Sequence, residues 1–245
     1  ALMGPTAPMN GVVTTQPAQH WTLTLPRHVN QLFHTMPAKM RRNRRQEANQ
    51  LEKAYADALR VHCFSGISDV SRVIEDGECV AKTSYHRGLN AGFVDNEENR
   101  QRLAYYASAG ALRAYFLYAG GKPVAFWIGV LFGSTLYWNF TGYDATLRKY
   151  SPGIYLLRKV CEQLCGSTVS AMDFGFGDAI YKQHFCDTQW SEATVKMFAR
   201  NVRGRSLQFI ENVTTGVDLM LRKGVERLRL TIRLKRLWRD FLRPS

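Results

Sequence analysis

A mixed α/β domain on a mostly antiparallel sheet is the fold class this sequence predicts, and three observations predict it. Residues 111–143 hold three consecutive aromatic and β-branched runs, "ALRAYFLYA", "PVAFWIGVLF" and "TLYWNFTGY". The "GGK" and "GS" between them are hairpin chemistry, so the three strands form an antiparallel meander. A helical signal, "YSPGIYLLRKVCEQLCG", follows directly and leads into a fourth strand, "STVSAMDFG". Finally, 245 residues that are 45% hydrophobic and 12% aromatic can bury one large domain or two closely packed lobes.

Each element has its own justification. Residues 1–19, rich in Pro, Thr, Ala and Gln, read as a flexible lead-in to a domain spanning 20–215. "WTLTLP", 21–26, alternates apolar and polar side chains and stops at Pro26, as a short strand does. "RHVNQLFHTM" and "AKMRRNRRQEANQLEKAYADAL" read as helices; the second carries "KMRRNRR", 39–45, either a solvated basic face or a surface for phosphate or lipid. "VHCF" predicts a strand, and "ISDVSRVIEDG" a short helix capped by Ser68 or Asp69 and ended by Gly77. In "DNEENRQRLAYYASAG", Asn96 or Asp95 is the cap, Glu97 and Glu98 face the positive first turn, and Gly110 terminates the helix. After the meander, Ser151 is the expected side-chain cap of the 152–165 helix, and Pro152 suits its first position. "DAIYKQHF" predicts a short helix, and "EATVKMFAR" and "SLQFIEN" a last pair of strands.

From Val217 to Ser245 there are nine Lys/Arg against three acids, with Val217, Leu221, Val225, Leu228 and Ile232 at helical spacing. Residues 216–245 therefore predict a basic amphipathic C-terminal helix, packed on its own domain or lying on an anionic membrane surface. The net charge of +13 favours an anionic partner, whether nucleic acid, membrane or phosphate-bearing ligand. No apolar run approaches the roughly eighteen residues of a membrane span. The first residues lack a basic stretch and a continuous apolar core, so they do not read as a secretory signal, and the absence of an initiator Met points to a processed chain. The expected location is cytoplasmic, with peripheral attachment at the inner membrane face as an option.

The five cysteines, Cys63, Cys79, Cys161, Cys165 and Cys186, contain no C-x-x-C pair. Cys161 and Cys165 lie a helical turn apart, but no His pair at ligand spacing accompanies them, so reduced thiols and no metal are expected. The Asp-Phe-Gly at 173–175 is shared with the magnesium-binding segment of protein kinases. A kinase also needs a Gly-rich phosphate loop and a catalytic H-R-D. The chain has no G-x-G-x-x-G, and "HRGLNAGF", 86–93, places Gly88 and Phe93 where the catalytic Asp and metal-binding Asn would stand. The kinase reading fails.

"YSPG" has its own chemistry. A helix start offers several backbone N–H donors and the positive end of a dipole, and Gly153 leaves the backbone open to close approach, so the segment can take a phosphate. Taken with "GKPVAFWIG", "YWNFTGYD" and "DFGFGDAIYKQHF", in that order, it resembles the GNAT-fold acyltransferases. The resemblance is to the branch grouped with cellulose-biosynthesis CelD-like proteins and related to FemAB-type transferases, and it covers roughly residues 20–212.

The resemblance implies a GNAT-like sheet of splayed strands in which "AMDFG" lies beside the strand that carries an acyl-CoA, acetyl-CoA being the first choice. It implies direct acyl transfer to an amine acceptor, a small molecule, glycan or peptide. Phe140, Thr141, Gly142 and Tyr143, on a strand expected to bulge, would bind the thioester end, their N–H groups facing the developing oxyanion. Ser151, Pro152, Gly153, Ile154 and Tyr155 would hold the pyrophosphate. Asp173, Tyr181 and Lys182 are the catalytic candidates, Asp173 as base or loop-holding carboxylate and Tyr181 as proton donor to the departing thiolate. His86, Arg87, Trp138 and His184 are candidates for the acceptor cleft. The chain departs from the usual R/Q-x-x-G-x-G/A phosphate loop. Because FemAB-type relatives use aminoacyl-tRNA, that donor, bound through cationic surface, is the alternative. A non-catalytic fold that binds a membrane or partner is the third reading.

Overall fold

The computed structural model describes residues 12–14, 17–33, 36–84, 92–177 and 179–227. The chain divides into two compact units, one formed by Gln19–Trp190 and the other by residues 1–18 together with 191–245.

The first unit is built on a seven-stranded sheet of order β3-β4-β5-β6-β7-β2-β8. The strands are β2 (Ala18–Thr24), β3 (Leu59–Phe64), β4 (Leu112–Ala119), β5 (Lys122–Phe132), β6 (Thr135–Tyr143), β7 (Ala171–Phe176) and β8 (Thr188–Glu192). Pairings β3–β4, β4–β5, β5–β6 and β2–β7 are antiparallel, and β6–β7 is parallel. The predicted mixed, mostly antiparallel sheet is therefore present, and the three-strand meander falls where the hairpin residues put it. Helices α1 (Ala38–Tyr55), α2 (Val70–Thr83), α3 (Glu97–Ser108), α4 (Pro152–Leu164) and α5 (Ile180–Phe185) complete the unit.

Alternation along the strands divides the core in two. One cluster joins Trp127, Leu136 and Met172 of the sheet to Leu51 of α1 and Leu156, Leu157, Val160 and Cys161 of α4. The other joins Phe116, Phe126 and Ile128 to Val73 and Ile74 of α2 and Leu103 of α3. Strand β6 changes faces partway. Ile128 pairs with Phe140 but Gly129 with Trp138, so Asn139 is an extra residue and the strand bulges there. Before the bulge, Leu136 and Trp138 belong to the α1/α4 side; after it, Phe140 belongs to the other. Gly129 permits this, since a Cβ on it would stand 2.3 Å from the Tyr137 carbonyl oxygen and 2.9 Å from the Trp138 ring.

Several expectations need correction. Only a 3-10 turn, Val29–Gln31, forms within "RHVNQLFHTM" among the described residues. The helix expected to stop at Gly77 runs on to Thr83. Gly77 is not a terminator but a packing site, because a Cβ there would lie 2.9 Å from the Phe93 ring. Asp69 accepts from the Ser65 and Gly66 N–H groups and so caps the turn before α2. Asn96 does cap α3, accepting from the Asn99 N–H at 2.9 Å.

The second unit departs furthest from expectation. Strand β1 (Val12–Thr14) lies within the supposed flexible lead-in and pairs antiparallel with β9 (Val195–Met197). "SLQFIEN" is not a strand but part of α6 (Val202–Arg227). The cause is local: the Asn201 side chain accepts from the Gly204 N–H at 2.8 Å, capping a helix that absorbs the alternating segment. Lys196 of β9 pairs with Glu211 of α6 at 2.6 Å. The predicted C-terminal helix of 216–245 is helical as far as Arg227, continuous with α6, and residues 228–245 lie outside the described residues. No helix among the described residues is long and apolar enough to cross a membrane.

Candidate functional site

The parallel ladder between β6 and β7 is short. Thr135, Leu136 and Tyr137 pair with Ala171, Met172 and Asp173, and there the pairing ends. Beyond it, β6 continues to Tyr143 on the β5 side alone, and β7 to Phe176 on the β2 side alone. The two strands part, and the bulge at Asn139 sits where they do.

The four β6 residues predicted for the thioester end line one arm of this gap, each differently employed. Phe140 packs edge-on to Phe93, ring centroids 5.3 Å apart. The Thr141 hydroxyl donates to the Phe126 carbonyl at 3.3 Å. Gly142 must be small, for a Cβ there would come within 2.7 Å of the Phe126 ring. Tyr143 lies beside the start of α4, its ring 3.6 Å from where a Gly153 Cβ would stand.

Asp144 ends β6 by capping a 3-10 turn, Ala145–Tyr150, accepting from the Thr146 N–H at 2.9 Å. The chain then enters α4 through Ser151 in the left-handed region, φ 50° and ψ 53°. This overturns the expected side-chain cap. Ser151 makes no capping bond through its hydroxyl; its carbonyl instead accepts from Ile154 and Tyr155, each at 3.0 Å. The preceding turn places the Ser151 N–H on the Arg148 carbonyl at 3.1 Å, and Pro152 disfavours the right-handed helical alternative at Ser151. A non-glycine residue there costs about 1 kcal/mol, a form of strain that clusters at ligand clamps.

Trp127 was not foreseen. From β5 its indole N–H donates to the Gly153 carbonyl at 2.9 Å, fixing the first turn of α4 to the sheet. Its ring meets Tyr181 of α5 at 5.7 Å and Phe174 of β7 at 5.7 Å, both edge-on. Tyr181 thus joins the helix start through one indole. Burial pushes the Tyr181 phenol above the ordinary phenol range. Its hydroxyl makes no hydrogen bond with the described residues.

Asp173 and Lys182 are closely held. Asp173, 8% exposed, accepts from the His20 Nε2 at 2.8 and 2.9 Å on its two oxygens and from the Gly175 N–H at 2.7 Å. His20 stacks on Trp190, ring centroids 4.5 Å apart. Lys182, 6% exposed, donates to the carbonyls of Phe174, Gly175 and Phe176 at 2.7, 3.3 and 2.5 Å. Its ammonium ties off the end of β7, a clamp's employment rather than the free amine a proton shuttle requires.

Of the acceptor candidates, Trp138 packs against Trp127 at 5.2 Å, its indole nitrogen buried without a hydrogen-bond partner among the described residues. His184 is half-buried on α5, and its Nδ1 is likewise unpartnered. His86 and Arg87 lie outside the described residues.

Beside the start of α4 opens a cavity of about 510 Å³, with α1 as its other wall. It brings together two segments that are more than a hundred residues apart: Arg41, Arg44 and Arg45 of "KMRRNRR", and Ser151, Ile154 and Tyr155 of "YSPGIY". Leu32, Phe33, Met36, Ala48 and Phe185 supply an apolar part of its lining. Among the described residues no group of three or more His, Cys, Asp or Glu could hold a metal.

A sheet that parts beside a helix start, with a half-buried phenol packed on the indole that ties the two together, fits a domain of the acyltransferase class. The comparison with known families agrees. Residues 38–183 match the acetyltransferase (GNAT) domain model, and the chain belongs to that family. Among solved structures, a conserved protein of unknown function from Bacteroides thetaiotaomicron superposes with a TM-score of 0.54 at 13% identity, over 76% of this chain and 62% of its own. The C-terminal (DUF2156) domain of an Agrobacterium fabrum protein named for lysylphosphatidylglycerol synthetase gives 0.54 at 12% identity, over 83% and 66%. The chain thus spans less than two thirds of the length of either, and at these identities the likeness is one of fold. No curated protein matches the sequence at a significant level.

Proposed function

We propose that this domain transfers an acyl group from a CoA thioester, acetyl-CoA in the first instance, directly to an amine, and that it belongs to the CelD-like branch. The supporting observation is the parting of β6 and β7 after Tyr137 and Asp173, with β6 leading on through the 145–150 turn to the strained start of α4. The pantetheine arm enters the gap, and the pyrophosphate rests on the first turn of α4, at Ser151–Tyr155, where the Gly153 N–H and the helix dipole favour an anion. Backbone N–H groups of Phe140–Tyr143 face the oxyanion of the tetrahedral intermediate. Attack by the neutral amine forms the new C–N bond, collapse expels the CoA thiolate, Tyr181 gives that sulfur a proton, and the proton shed by the amine nitrogen passes through solvent to restore the phenol. Burial holds that phenol in its proton-bearing form. Asp173 and Lys182 act as positioning residues for the end of β7. Trp138 and His184, with His86 and Arg87, remain the acceptor-side candidates.

The net charge of +13 and the arginines of α1 favour one second reading, an aminoacyl-tRNA donor of the FemAB type. Thermal-shift titration with acetyl-CoA, longer acyl-CoAs and free CoA, beside a tRNA gel shift at two salt concentrations, separates the two. Saturable stabilisation by a CoA species supports the first. Salt-resistant tRNA binding with no CoA response overturns it.

A further inference from the structure

The usual phosphate loop of this fold class carries an Arg or Gln at its head, and "YSPG" has neither. The structure shows what stands beside it. Arg41, Arg44 and Arg45, spaced i, i+3, i+4, occupy one face of α1 and line the same cavity as the start of α4. From α4 itself come Arg158 and Lys159.

The acids in the cavity are already engaged, mostly by these α4 cations. Glu162 pairs with Arg158 at 3.0 Å and Lys159 at 3.5 Å. Glu52 accepts from the Tyr155 hydroxyl at 3.0 Å and lies 3.9 Å from Lys159. Glu47 is met by Arg44 Nη1 at 2.8 Å. Arg41 and Arg45 make no ion pair among the described residues, and Arg44 Nε is buried without a hydrogen bond. Five cations thus face three carboxylates, and the unmatched ones stand on α1.

We propose that α1 supplies, from over a hundred residues upstream in the same chain, the phosphate-reading cations that the helix-start segment lacks. Arg41, Arg44 and Arg45 are then the residues that recognise the phosphate end of the donor. Guanidinium groups suit the task because two parallel N–H donors match two phosphate oxygens. This rests on the reading of the donor as a CoA thioester. The selectivity it implies is for the phosphates of the donor, not for its acyl group: CoA binds through the cavity, whereas pantetheine, which reaches only the strand gap, does not sense α1.

The test is calorimetric titration of the full chain and of its Arg41→Gln/Arg44→Gln/Arg45→Gln variant with CoA, pantetheine and inorganic pyrophosphate. The expected result is a loss of roughly tenfold or more in affinity for CoA and pyrophosphate in the variant, since each charge-assisted hydrogen bond removed weakens binding. Any pantetheine binding should be unchanged. Equal CoA and pyrophosphate affinities in parent and variant overturn the arginine assignment while leaving the CoA reading standing. Pyrophosphate binding that depends on the arginines, with no CoA binding, overturns the donor reading and leaves an anion site read by α1. If the parent binds neither CoA nor pyrophosphate, both fall. Circular dichroism melting of the variant guards against loss of fold, and three exposed or half-exposed arginines on one helix face are compatible with an unchanged melting point.

Discussion

Tyr181 and Cys186 lie five residues apart, at α5 and just beyond its end, and burial acts on both in the same direction. A phenol in an apolar setting holds its proton because the phenolate loses its hydration there. Tyr181, packed against Trp127 and Phe174, therefore keeps its proton, as the donor role proposed for it requires. Replacing it with Phe keeps the ring contacts and removes the proton. We expect Tyr181→Phe to lower turnover about a hundredfold, within the usual range for general acid catalysis, while donor affinity measured by calorimetry stays unchanged. An unaltered turnover would remove Tyr181 from the mechanism. At Cys186 burial pushes the thiol up to about 12 from an ordinary 9.0. The sign follows from linkage: the folded state holds this proton more tightly, so its contribution to stability is full below pH 9 and is lost as pH rises toward about 12. The Cys186→Ala variant should therefore lose less of its melting temperature than the parent between pH 8.5 and 11 (a range set by that shift). Parallel curves for the two proteins would show that the thiol does not control the alkaline limb.

The element on which the donor reading depends is the first turn of α4. Its geometry is fixed from three sides, by the left-handed Ser151, by Pro152, and by the Trp127 indole on the Gly153 carbonyl. Gly153→Glu would put a carboxylate at the place proposed for the pyrophosphate. We expect it to abolish stabilisation by CoA while the unliganded melting point moves little, because a Cβ at Gly153 meets Tyr143 only at ordinary contact distances, 3.6 Å and beyond. A CoA response equal to the parent's would move the phosphate elsewhere. The elements of this region were legible in the sequence because their signals are short-range: hairpin glycines, a Ser-Pro start, aromatic alternation. What could not be read there depends on contacts distant in sequence. The anchor of Trp127 on Gly153 and the clearance of Gly129 for a bulge ten residues later are properties of packed pairs. So are the Phe93 ring packed against Gly77 of α2 and the His20 that occupies Asp173 across 153 residues. "SLQFIEN" failed for the opposite reason, since its alternation is real but the Asn201 cap upstream decides the conformation.

At the scale of the whole molecule, the residues assigned to the chemistry and those assigned to the surface fall in different units. Every described residue of the candidate site, from the α1 arginines to His184, lies within the single continuous stretch Gln19–Trp190. The basic amphipathic segment expected from 216 onward belongs to the unit made of 1–18 and 191–245, where α6 is helical through Arg227 and Met220 is exposed. The acyltransferase reading and the reading of a fold kept for interaction therefore make opposite claims about one deletion. If catalysis is the function, removing 217–245 takes away no donor contact. The truncated chain should then show the parent's CoA-dependent rise in melting temperature to within about 1 °C (roughly the shift of a few tenths of a kcal/mol). Binding to vesicles of anionic phosphatidylglycerol should fall to the level seen with neutral phosphatidylcholine, because the apolar stripe and nine cations of that segment are gone. Loss of the CoA response on deletion would mean that the tail completes the donor site. Vesicle binding that survives it would place any membrane affinity on the arginines of α1 instead.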